Sequence, residues 1–506
     1  MTRWPSVDRS PTPTGWARPG NLMPAVGPSS WPRGRRAMTE SEEILATAEA
    51  WWDVDRSNFR DGDRYLRNIG TAGSVLDLRL GSSGVANSND PKWLGPEGTG
   101  YVYLPGVAGN CLQVTSSASF NVVNVDARVR VAMDNWIPTA NSALMGRWNG
   151  AGTYSWRLLM DTAGKPWFFW SNDGTTQLNE LSTAATGFAA GTAQWLRVTM
   201  TVDNGAGKYE VAFYTAPDSP DEPSSWTQLG TTKTGAATTS VYSVASVDIN
   251  VGAVTNGTNN PATARTYRSL LKSGINGTTV LDIDADAITS GAATSFTATT
   301  GQTVTINRAT SGRKSVAMPS RAKGGRPCML LGTDDYLECQ DAAQHGLLNF
   351  GQGDSFTVLA VVRQWGTPAN NGRYLDKRGF AGLSGYFLCT YTTVLRLYPF
   401  LSDGPNISQD ITNGKAMVSG QLSMITSVVN RLTKSMAQGV NDSNGPAVSL
   451  SGLGSAVSSF NFNVGRAASG SVQGVQDFEF RAAAVFRRAL TAREITVIAN
   501  AAPWGI

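Results

Sequence analysis

One arrangement of residues occurs twice along this chain of 506 residues, and it limits the possible folds more than the composition does. The spacing between Trp136 and Trp365 is nearly the same as the spacing between Trp156 and Tyr386. This period far exceeds that of solenoid repeats, which is about 20 to 50 residues. The repetition therefore predicts two tandem domains.

Three shorter matches accompany the aromatic pairs. They are Asp173-Gly174 with Asp403-Gly404, Asn250-Val251-Gly252 with Asn463-Val464-Gly465, and Val75-Leu76-Asp77-Leu78 with Val280-Leu281-Asp282-Ile283. The spacing between Asn250 and Asn463 is shorter than the spacing of the aromatic pairs. This predicts that the two copies differ in loop length while their strands correspond.

Composition and alternation predict β-strands in both copies. The chain has 54 Gly and only 16% charged residues, which is typical of short strands joined by tight turns. Between residues 123 and 131, apolar residues at odd positions alternate with polar ones, the period of a half-buried strand. We predict an all-β chain of two tandem antiparallel sandwiches.

The predicted organisation has five parts. Residues 1–37 form a disordered Pro-rich extension, 38–74 an N-terminal helix and connector, 75–290 the first domain, 291–326 a linker arm, and 327–506 the second domain. Thr39 and Glu42 match a capping box at the start of the helix, whose apolar face is expected to extend to Trp51 and Trp52. Alternatively, Met38 is the initiator and the preceding segment is not translated.

Charge and cysteine usage exclude several classes. A net charge of +4 with scattered basic residues disfavours nucleic-acid binding. No apolar run approaches the roughly 20 residues that cross a bilayer, and no secretory signal is visible, so we expect no membrane insertion. Four cysteines predict buried thiols rather than a disulfide scaffold, although Cys328 and Cys339 could pair. His345, the only histidine, is expected in a surface loop.

Aromatic residues are the more promising candidates for binding. In a strand at residues 166–170, Trp167 and Phe169 would lie on one face and Phe168 and Trp170 on the other. One face would form the core, and the second would be covered by a domain, a partner or a sugar ring. The predicted ligand contacts are Arg147, Trp148, Tyr154, Trp167, Tyr374, Lys377 and Arg378.

The second copy resembles the jelly-roll domains of the concanavalin-A-like, laminin-G-like class. The resemblance rests on Asp354-Ser355-Phe356-Thr357-Val358, Asp376-Lys377, Gly385-Tyr386, Asp403-Gly404, Asn463-Val464-Gly465 and the segment from Phe486 to Ile495. In that last segment, Thr491 and Glu494 form a capping box, and Leu490 and Ile495 can form a hydrophobic staple. The first copy resembles the class less closely because it lacks this cap.

The layout of the chain resembles that of minor tail proteins of phages that infect actinobacteria. The shared features are an N-terminal helix with paired tryptophans, two lectin-like domains, and the segment at residues 300–312 between them. This resemblance implies a virion protein of the phage tail, without enzymatic activity or cofactor. Its implied partners are other tail proteins, further copies of itself and host-surface glycan. The alternatives are a secreted bacterial adhesin and a polysaccharide hydrolase.

The resemblance also identifies two possible sites for chemistry. Some glycoside hydrolases of this fold use alternating carboxylates, and Asp282, Asp284 and Asp286 alternate, although a solvated edge strand explains them better. Some laminin-G-like domains bind calcium through loop oxygens, for which Asp376 and Asp403 are conceivable ligands without a clear motif.

Overall fold

The computed structural model describes residues 38–501 except for several gaps. The gaps are residues 58, 61–62, 84, 86–89, 96–98, 309–319, 322–325, 333–334, 341–345, 366–371, 379–382, 391–394, 410–413 and 469–477. The predictions of disorder at residues 1–37 and of a surface loop at His345 lie outside the described residues.

Four antiparallel sheets form two sandwiches, which confirms the predicted fold class. Sheets 1 and 2 form the first sandwich. In spatial order, sheet 1 contains Leu178–Leu181, Pro166–Trp170, Trp156–Met160, Ser142–Arg147, Ile249–Val251, Cys111–Val114, Thr303–Asn307 and Ser295–Thr297. Sheet 2 contains Thr227–Gln228, Glu210–Ala216, Gln194–Thr201, Val125–Met133, Thr263–Ser273, Tyr101–Pro105 and Ser320–Arg321, with Lys233–Thr234 beside Glu210–Ala216 and Thr278–Asp284 beside Thr263–Ser273.

Sheets 3 and 4 form the second sandwich. Sheet 3 contains Ser443–Asn444, Ser435–Val440, Leu422–Asn430, Phe356–Gln364, Phe478–Phe486, Cys328–Leu331 and Lys92–Leu94, with Ala50–Asp53 beside Phe478–Phe486 and Val448–Ser449 beside Ser435–Val440. Sheet 4 contains Tyr65–Leu66, Leu78–Leu80, Leu337–Cys339, Phe462–Val464, Arg373–Asp376, Ser384–Thr390, Arg396–Asp403 and Ile407–Gln409, with Lys415–Ala416 beside Arg396–Asp403. Among the described residues, the helices are Glu40–Leu45 and Ala492–Asn500, with 3₁₀ turns at Gly73–Leu76, Ala118–Phe120 and Ala285–Ala287.

Each sandwich has its own apolar core, and a third cluster joins the two sandwiches. In that third cluster, Tyr103 and Tyr267 of sheet 2 pack with Leu330 of sheet 3 and with Trp365. The strand Val125–Met133 is consequently buried along its whole length, rather than half-buried as its alternation predicts. Its polar residues lie on the outer side of the strand. Asp126 and Arg128 form an ion pair there, and Arg130 packs on Tyr267 at the interface.

Each sandwich includes a set of four flanking strands, and the set of the second sandwich comes from a distant part of the sequence. The N-terminal strand set, which comprises Ala50–Asp53, Tyr65–Leu66, Leu78–Leu80 and Lys92–Leu94, pairs among the described strands only with the second sandwich. The middle strand set, which comprises Thr278–Asp284, Ser295–Thr297, Thr303–Asn307 and Ser320–Arg321, likewise pairs only with the first. Each set contributes strands at corresponding places in the two sheets of its sandwich. The strands at residues 50–94 therefore complete the second sandwich, whose other strands lie at residues 328–486.

This strand pairing changes which segments of the two copies correspond to one another. Ala50–Asp53 lies beside Phe478–Phe486 as Thr278–Asp284 lies beside Thr263–Ser273, so the two flanking strands are equivalent. Ala50–Asp53, rather than residues 75–78, is therefore the counterpart of Thr278–Asp284. The expected match of Val75 with Val280 is a coincidence of similar apolar spacing. The strand pairing also differs from the expected boundaries at residues 75 and 291, because Leu78–Leu80 joins sheet 4 and Thr303–Asn307 joins sheet 1.

The N-terminal helix is shorter than predicted. Its capping box is confirmed, because the Glu42 backbone N–H donates to Thr39 Oγ1 and the Thr39 N–H donates to the Glu42 carboxylate. The helix ends at Leu45, however, and Trp51 and Trp52 lie on a strand paired with Phe478–Phe486. Both indoles are buried in this position beside Phe478–Phe486.

We predict that Trp52→Ala destabilises the second sandwich selectively. Trp52 is fully buried, stacks on Phe462 with ring centres 5.2 Å apart, and donates its Nε1–H to the Leu76 carbonyl over 2.6 Å. Truncating such a side chain costs about 3–5 kcal/mol of unfolding free energy. Hydrogen exchange should therefore accelerate in residues 462–464 and 478–486 before it accelerates in 125–133.

The matched control is Trp136→Ala, which removes an equally buried indole from the first sandwich. Its exchange should show the opposite order. If Trp52→Ala instead released the first sandwich first, the assignment of the N-terminal strand set to the second core would be contradicted.

Candidate functional site

The candidate site lies on the outward face of sheet 1. Along Pro166–Trp170, Phe168 and Trp170 enter the core of the first sandwich. Trp167 and Phe169 belong to a separate cluster outside that core, as the alternation predicts. Trp167 is half-buried, so part of its indole ring faces solvent. The second apolar face of this strand is therefore covered only in part.

A guanidinium group contacts two aromatic rings on this face, and those rings stand at 69° to one another. Arg157 lies directly opposite Phe169 on the neighbouring strand, and its guanidinium carbon is 4.4 Å from the Phe169 ring centre and 4.5 Å from that of Trp148. Tyr154 stacks on Trp148 with ring centres 4.3 Å apart, and Trp167 lies 4.4 Å from Phe169. We call these five residues the arginine–aromatic cluster.

The charge of Arg157 is not matched by a carboxylate of the described residues. Its terminal nitrogens meet only the side-chain oxygens of Asn260 and Gln177, each at 3.5 Å, which is long for a hydrogen bond. In the part of the chain that the structure describes, its Nε is buried without an acceptor. The residue is 9% exposed. Burial lowers the pKa of Arg157 to about 10, so the group stays charged at neutral pH.

The loop beside the cluster has a strained backbone. Thr255, Asn256 and Asn260 have φ values of 55°, 52° and 53°, in the left-handed region. A β-branched residue such as Thr255 rarely adopts it. The Thr255 N–H donates to the Trp148 carbonyl over 2.9 Å, which ties the loop to the cluster. Strain of this kind persists only where the surrounding structure enforces it, and it concentrates at binding sites.

A polar groove adjoins the cluster through Asn260. The groove has a volume of about 490 Å³. Its polar lining includes Asp134, Asn135, Thr139, Asn141, Ser142 and Asn260. Asp134 accepts a hydrogen bond from Tyr103 over 2.9 Å and forms an ion pair with Lys92 at 3.1 Å, so its charge is compensated. Amides and hydroxyls therefore dominate the chemistry that the groove offers.

The structure places Arg147 in the interior rather than on the surface. Its side chain is fully buried, and its Nε–H donates to the Val247 carbonyl over 2.9 Å. Its other nitrogens donate to the Val244 carbonyl and to Asn121 and Ser116. A cation in a glycine-rich loop suggested a solvated group, but these carbonyls and side-chain oxygens satisfy it inside the fold.

Lys377 and Tyr374 are also interior residues. Lys377 Nζ donates to the Ser458 carbonyl over 3.3 Å and to the Phe460 carbonyl over 2.7 Å. Lys377 thus corresponds to Arg147, since each cation bonds the loop before the Asn-Val-Gly strand of its own sandwich. Tyr374 is fully buried in the core of the second sandwich. Neither residue can contact a ligand in this conformation.

Arg378, by contrast, lies within a related cluster on the outward face of sheet 4. Its guanidinium carbon is 4.1 Å from the ring centre of Phe400, which stacks on Phe387 at 4.3 Å. Arg378 is 4% exposed, and burial lowers its pKa to about 10. Trp148, Tyr154, Trp167 and Arg378 are thus the predicted residues that lie on outward faces.

The three candidate catalytic carboxylates do not share one face of a strand. The strand ends at Asp284, whose side chain caps the turn Ala285–Ala287. Asp282 is 5% exposed and ion-paired with Arg268 at 2.7 Å, so it is not solvated as expected. Asp286 accepts a hydrogen bond from the Gly100 N–H over 2.5 Å.

The conceivable calcium ligands have other partners. Asp376 is fully buried and ion-paired with Arg373 at 3.0 Å, and Asp403 accepts N–H groups from Gly454 and Asn406. Within the described ranges, no three His, Cys, Asp or Glu side chains are grouped so that they could bind a metal ion. These carboxylates therefore do not fit a calcium site.

Two further structural expectations concern thiols and membranes. Cys328 and Cys339 are buried thiols, as are the other two cysteines, so the possible pairing does not form. No helix among the described residues is both long enough and apolar enough to span a bilayer.

Arg157 and Asn260 were not identified from the sequence. Arg157 follows Trp156 on a strand, so alternation alone would place it outward beside Phe169 once the strand pairing is known. Asn260 carries no sequence signal of its own, because its role depends on a left-handed backbone conformation in a long loop.

No protein-family model matches the sequence, and no curated protein is similar to it. Among solved structures, domains LG4-5 of the mouse laminin alpha1 chain match 80% of this chain and 96% of their own length, at 10% identity and a TM-score of 0.27. The binding domain of Paraclostridial Mosquitocidal Protein 1 matches 35% of this chain at 17% identity and a TM-score of 0.28, and this chain covers only 44% of it. The CBM40 of Ruminococcus gnavus IT-sialidase, bound to alpha2,3 sialyllactose, matches 34% of this chain and 91% of its own length, at 10% identity and a TM-score of 0.24.

We predict that Arg147→Met destabilises the first sandwich. The substitution leaves the Val244 and Val247 carbonyls without their donors, and each buried unsatisfied group costs about 1–3 kcal/mol. Urea denaturation should report a loss of about 2–4 kcal/mol in unfolding free energy. Arg396→Met, at an exposed strand end, serves as the control and should change stability by less than about 0.5 kcal/mol. Full stability of the Arg147 variant would contradict an interior role.

Proposed function

We propose that this chain is a non-enzymatic virion protein of a phage tail that binds host-surface glycan through the outward face of sheet 1. The observation that carries the proposal is the pair of partly exposed rings, Trp167 and Tyr154, beside Arg157 and a polar groove. Sugar rings present apolar C–H faces that pack on aromatic rings. A few polar groups around such a surface provide orientation and specificity.

The groove supplies the polar part of this recognition. Asn135, Asn141 and Asn260 line the groove with amide groups, and Thr139 adds a hydroxyl group. The fold uses the Asn135 oxygen and one Asn260 donor, and the remaining donors and acceptors face the groove. Sugar hydroxyls, which donate and accept, are complementary to such groups. This mixture of amide groups and aromatic rings supports a saccharide as ligand more than an apolar molecule.

The location in a phage tail is supported by the layout of the chain. A short N-terminal helix, paired tryptophans and two tandem sandwiches together resemble the minor tail proteins named above. In such an assembly, the partners are other tail proteins and further copies of this chain. Open sites of this kind bind weakly one at a time, so several copies on one tail raise the avidity without new contacts.

A secreted bacterial adhesin is the second candidate, since it would use the same face. A polysaccharide hydrolase is the third. Burial raises the pKa of Asp284, as a general acid requires. Asp282, the second carboxylate that the reaction needs, is however bound by Arg268 through both oxygens, at 2.9 and 2.7 Å. These contacts support a binding function over hydrolysis.

The glycan-binding part is tested with immobilised glycans and isolated cell envelopes. Trp167→Ala and Tyr154→Ala should each weaken binding about tenfold, the equivalent of about 1.4 kcal/mol, because each removes a ring that packs on the sugar. Tyr65→Ala is the control, since Tyr65 is 41% exposed but lies on sheet 4. Equal binding by all three variants would refute this face as the site.

The virion part is tested independently by electron microscopy. Gold-labelled antibody against this chain should decorate the tails of phage particles that contain it. Labelling of capsids alone, or recovery of the protein only from bacterial culture medium, would favour a different location.

A further inference from the structure

The internal duplication allows the surroundings of Arg157 to be compared with the equivalent positions of the second sandwich. Arg157 lies opposite Gly146 on the neighbouring strand, and the equivalent residues of the second sandwich are Phe387 and Asp376, which also lie opposite one another. In both sandwiches these pairs belong to the sheet that faces away from the other sandwich. The two outward faces can therefore be compared position by position.

The second sandwich neutralises one cation of its cluster, Arg373, with a carboxylate of the same sheet. Asp376 forms an ion pair with Arg373 at 3.0 Å and accepts the Arg378 backbone N–H over 2.7 Å. The first sandwich has Gly146 at this position. A Cβ atom at Gly146 would lie 2.7 Å from the Arg157 Cβ, so the close approach of Arg157 leaves no room for a side chain there.

Both sandwiches have a contact between a guanidinium group and an aromatic ring at these positions. Trp148 and Arg157 of the first sandwich correspond to Arg378 and Phe387 of the second, so the cation and the aromatic ring have exchanged positions. The contact persists, at 4.5 Å between Arg157 and Trp148 and at 5.8 Å between Arg378 and Phe387. One difference between the two clusters is that the second contains the carboxylate of Asp376, which pairs with Arg373.

A buried cation without an anion is unfavourable, because its desolvation is not offset by an ion pair. Such unfavourable groups are retained where function requires them. We infer that the first sandwich recognises an acidic saccharide, whose oxyanion pairs with Arg157 while its ring packs against Trp167 and Tyr154. This inference rests on the proposed glycan-binding function and adds the charge of the ligand.

The geometry suits a planar or tetrahedral oxyanion. The rings of Phe169 and Trp148 contact the guanidinium at 69° to one another, and the edge with its two terminal nitrogens has only distant hydrogen-bond acceptors among the described residues. That edge now meets Gln177, which is exposed, and Asn260, which is half-buried, at long distances. Rotation of the Gln177 side chain would admit an oxyanion that accepts two hydrogen bonds in parallel. The aromatic surroundings exclude water and would strengthen this pairing.

The oxyanion could be a carboxylate or a phosphate. Calorimetry on the full chain should therefore compare a hexuronate oligosaccharide, a hexose phosphate oligomer and the neutral hexose oligosaccharide of equal length. We expect at least one anionic probe to bind about 30-fold or more tighter than the neutral probe, because a desolvated charge pair contributes strongly to affinity. The anion that is preferred then identifies the source of the charge.

Two variants of Arg157 separate charge from shape. Arg157→Gln should reduce binding of the anionic probe to the level of the neutral one, whereas Arg157→Lys, which lacks the planar fork, should restore only part of the difference. Unliganded Arg157→Gln should melt at the same temperature as the parent or higher, since it removes an unpaired buried charge. This readout distinguishes a binding residue from one that merely supports the fold.

Arg373→Gln is the matched control in the second sandwich. It removes the ion pair of the fully buried Asp376, so it should lower the melting temperature and leave binding of all probes unchanged. The inference is overturned if Arg157→Gln binds the anionic probes as the parent does, or if neither anion binds better than the neutral probe. If the inference fails but Trp167→Ala still weakens binding of the neutral glycan, the proposed glycan-binding function stands without the preference for an acidic saccharide.

Discussion

Backbone hydrogen bonding between the N-terminal strand set and the second sandwich is the interaction on which the architecture depends. Without these strands, Leu337–Cys339 and part of Phe478–Phe486 would be unpaired edges, with peptide groups that need partners. Their side chains also fill the second core, in which Trp52, Leu66 and Leu78 are fully buried. The middle strand set plays the same part in the first sandwich. The first sandwich therefore lies within the continuous segment 101–321, whereas the second is built from two separate segments.

Local features were predictable because their causes lie within a few residues. The capping boxes at Thr39 and Thr491 need only a side chain and a backbone group three residues apart, and both form. Alternation likewise separates Phe168 from Phe169. Strand partnership was not predictable, since the repeat is compatible with each strand set joining either copy. Only the three-dimensional pairing decides between these arrangements.

The functional face illustrates the same division between local and distant causes. The outward position of the aromatic rings follows from the alternation of the strand. Whether a cation has a partner depends instead on residues that are distant in sequence. Arg147 and Lys377 seemed to be surface groups and are instead satisfied by carbonyls about 80 to 100 residues away in sequence. Arg157 differs from these cations because its acceptors, Asn260 and Gln177, are both 3.5 Å away, and its neighbouring strand carries Gly146 where the duplicate carries Asp376.

The separation in sequence of the two segments of the second sandwich has a consequence for biosynthesis. Arg79 on the N-terminal strand set meets Glu338 on a strand that is synthesised 259 residues later. At about 5–20 residues per second, the ribosome needs roughly 13–50 s to supply that partner. Trp51 and Trp52 wait longer still, because the strand Ala50–Asp53 pairs with Phe478–Phe486 near the end of the second sandwich. Nascent chains of this protein should thus be clients of chaperones until translation reaches the second sandwich.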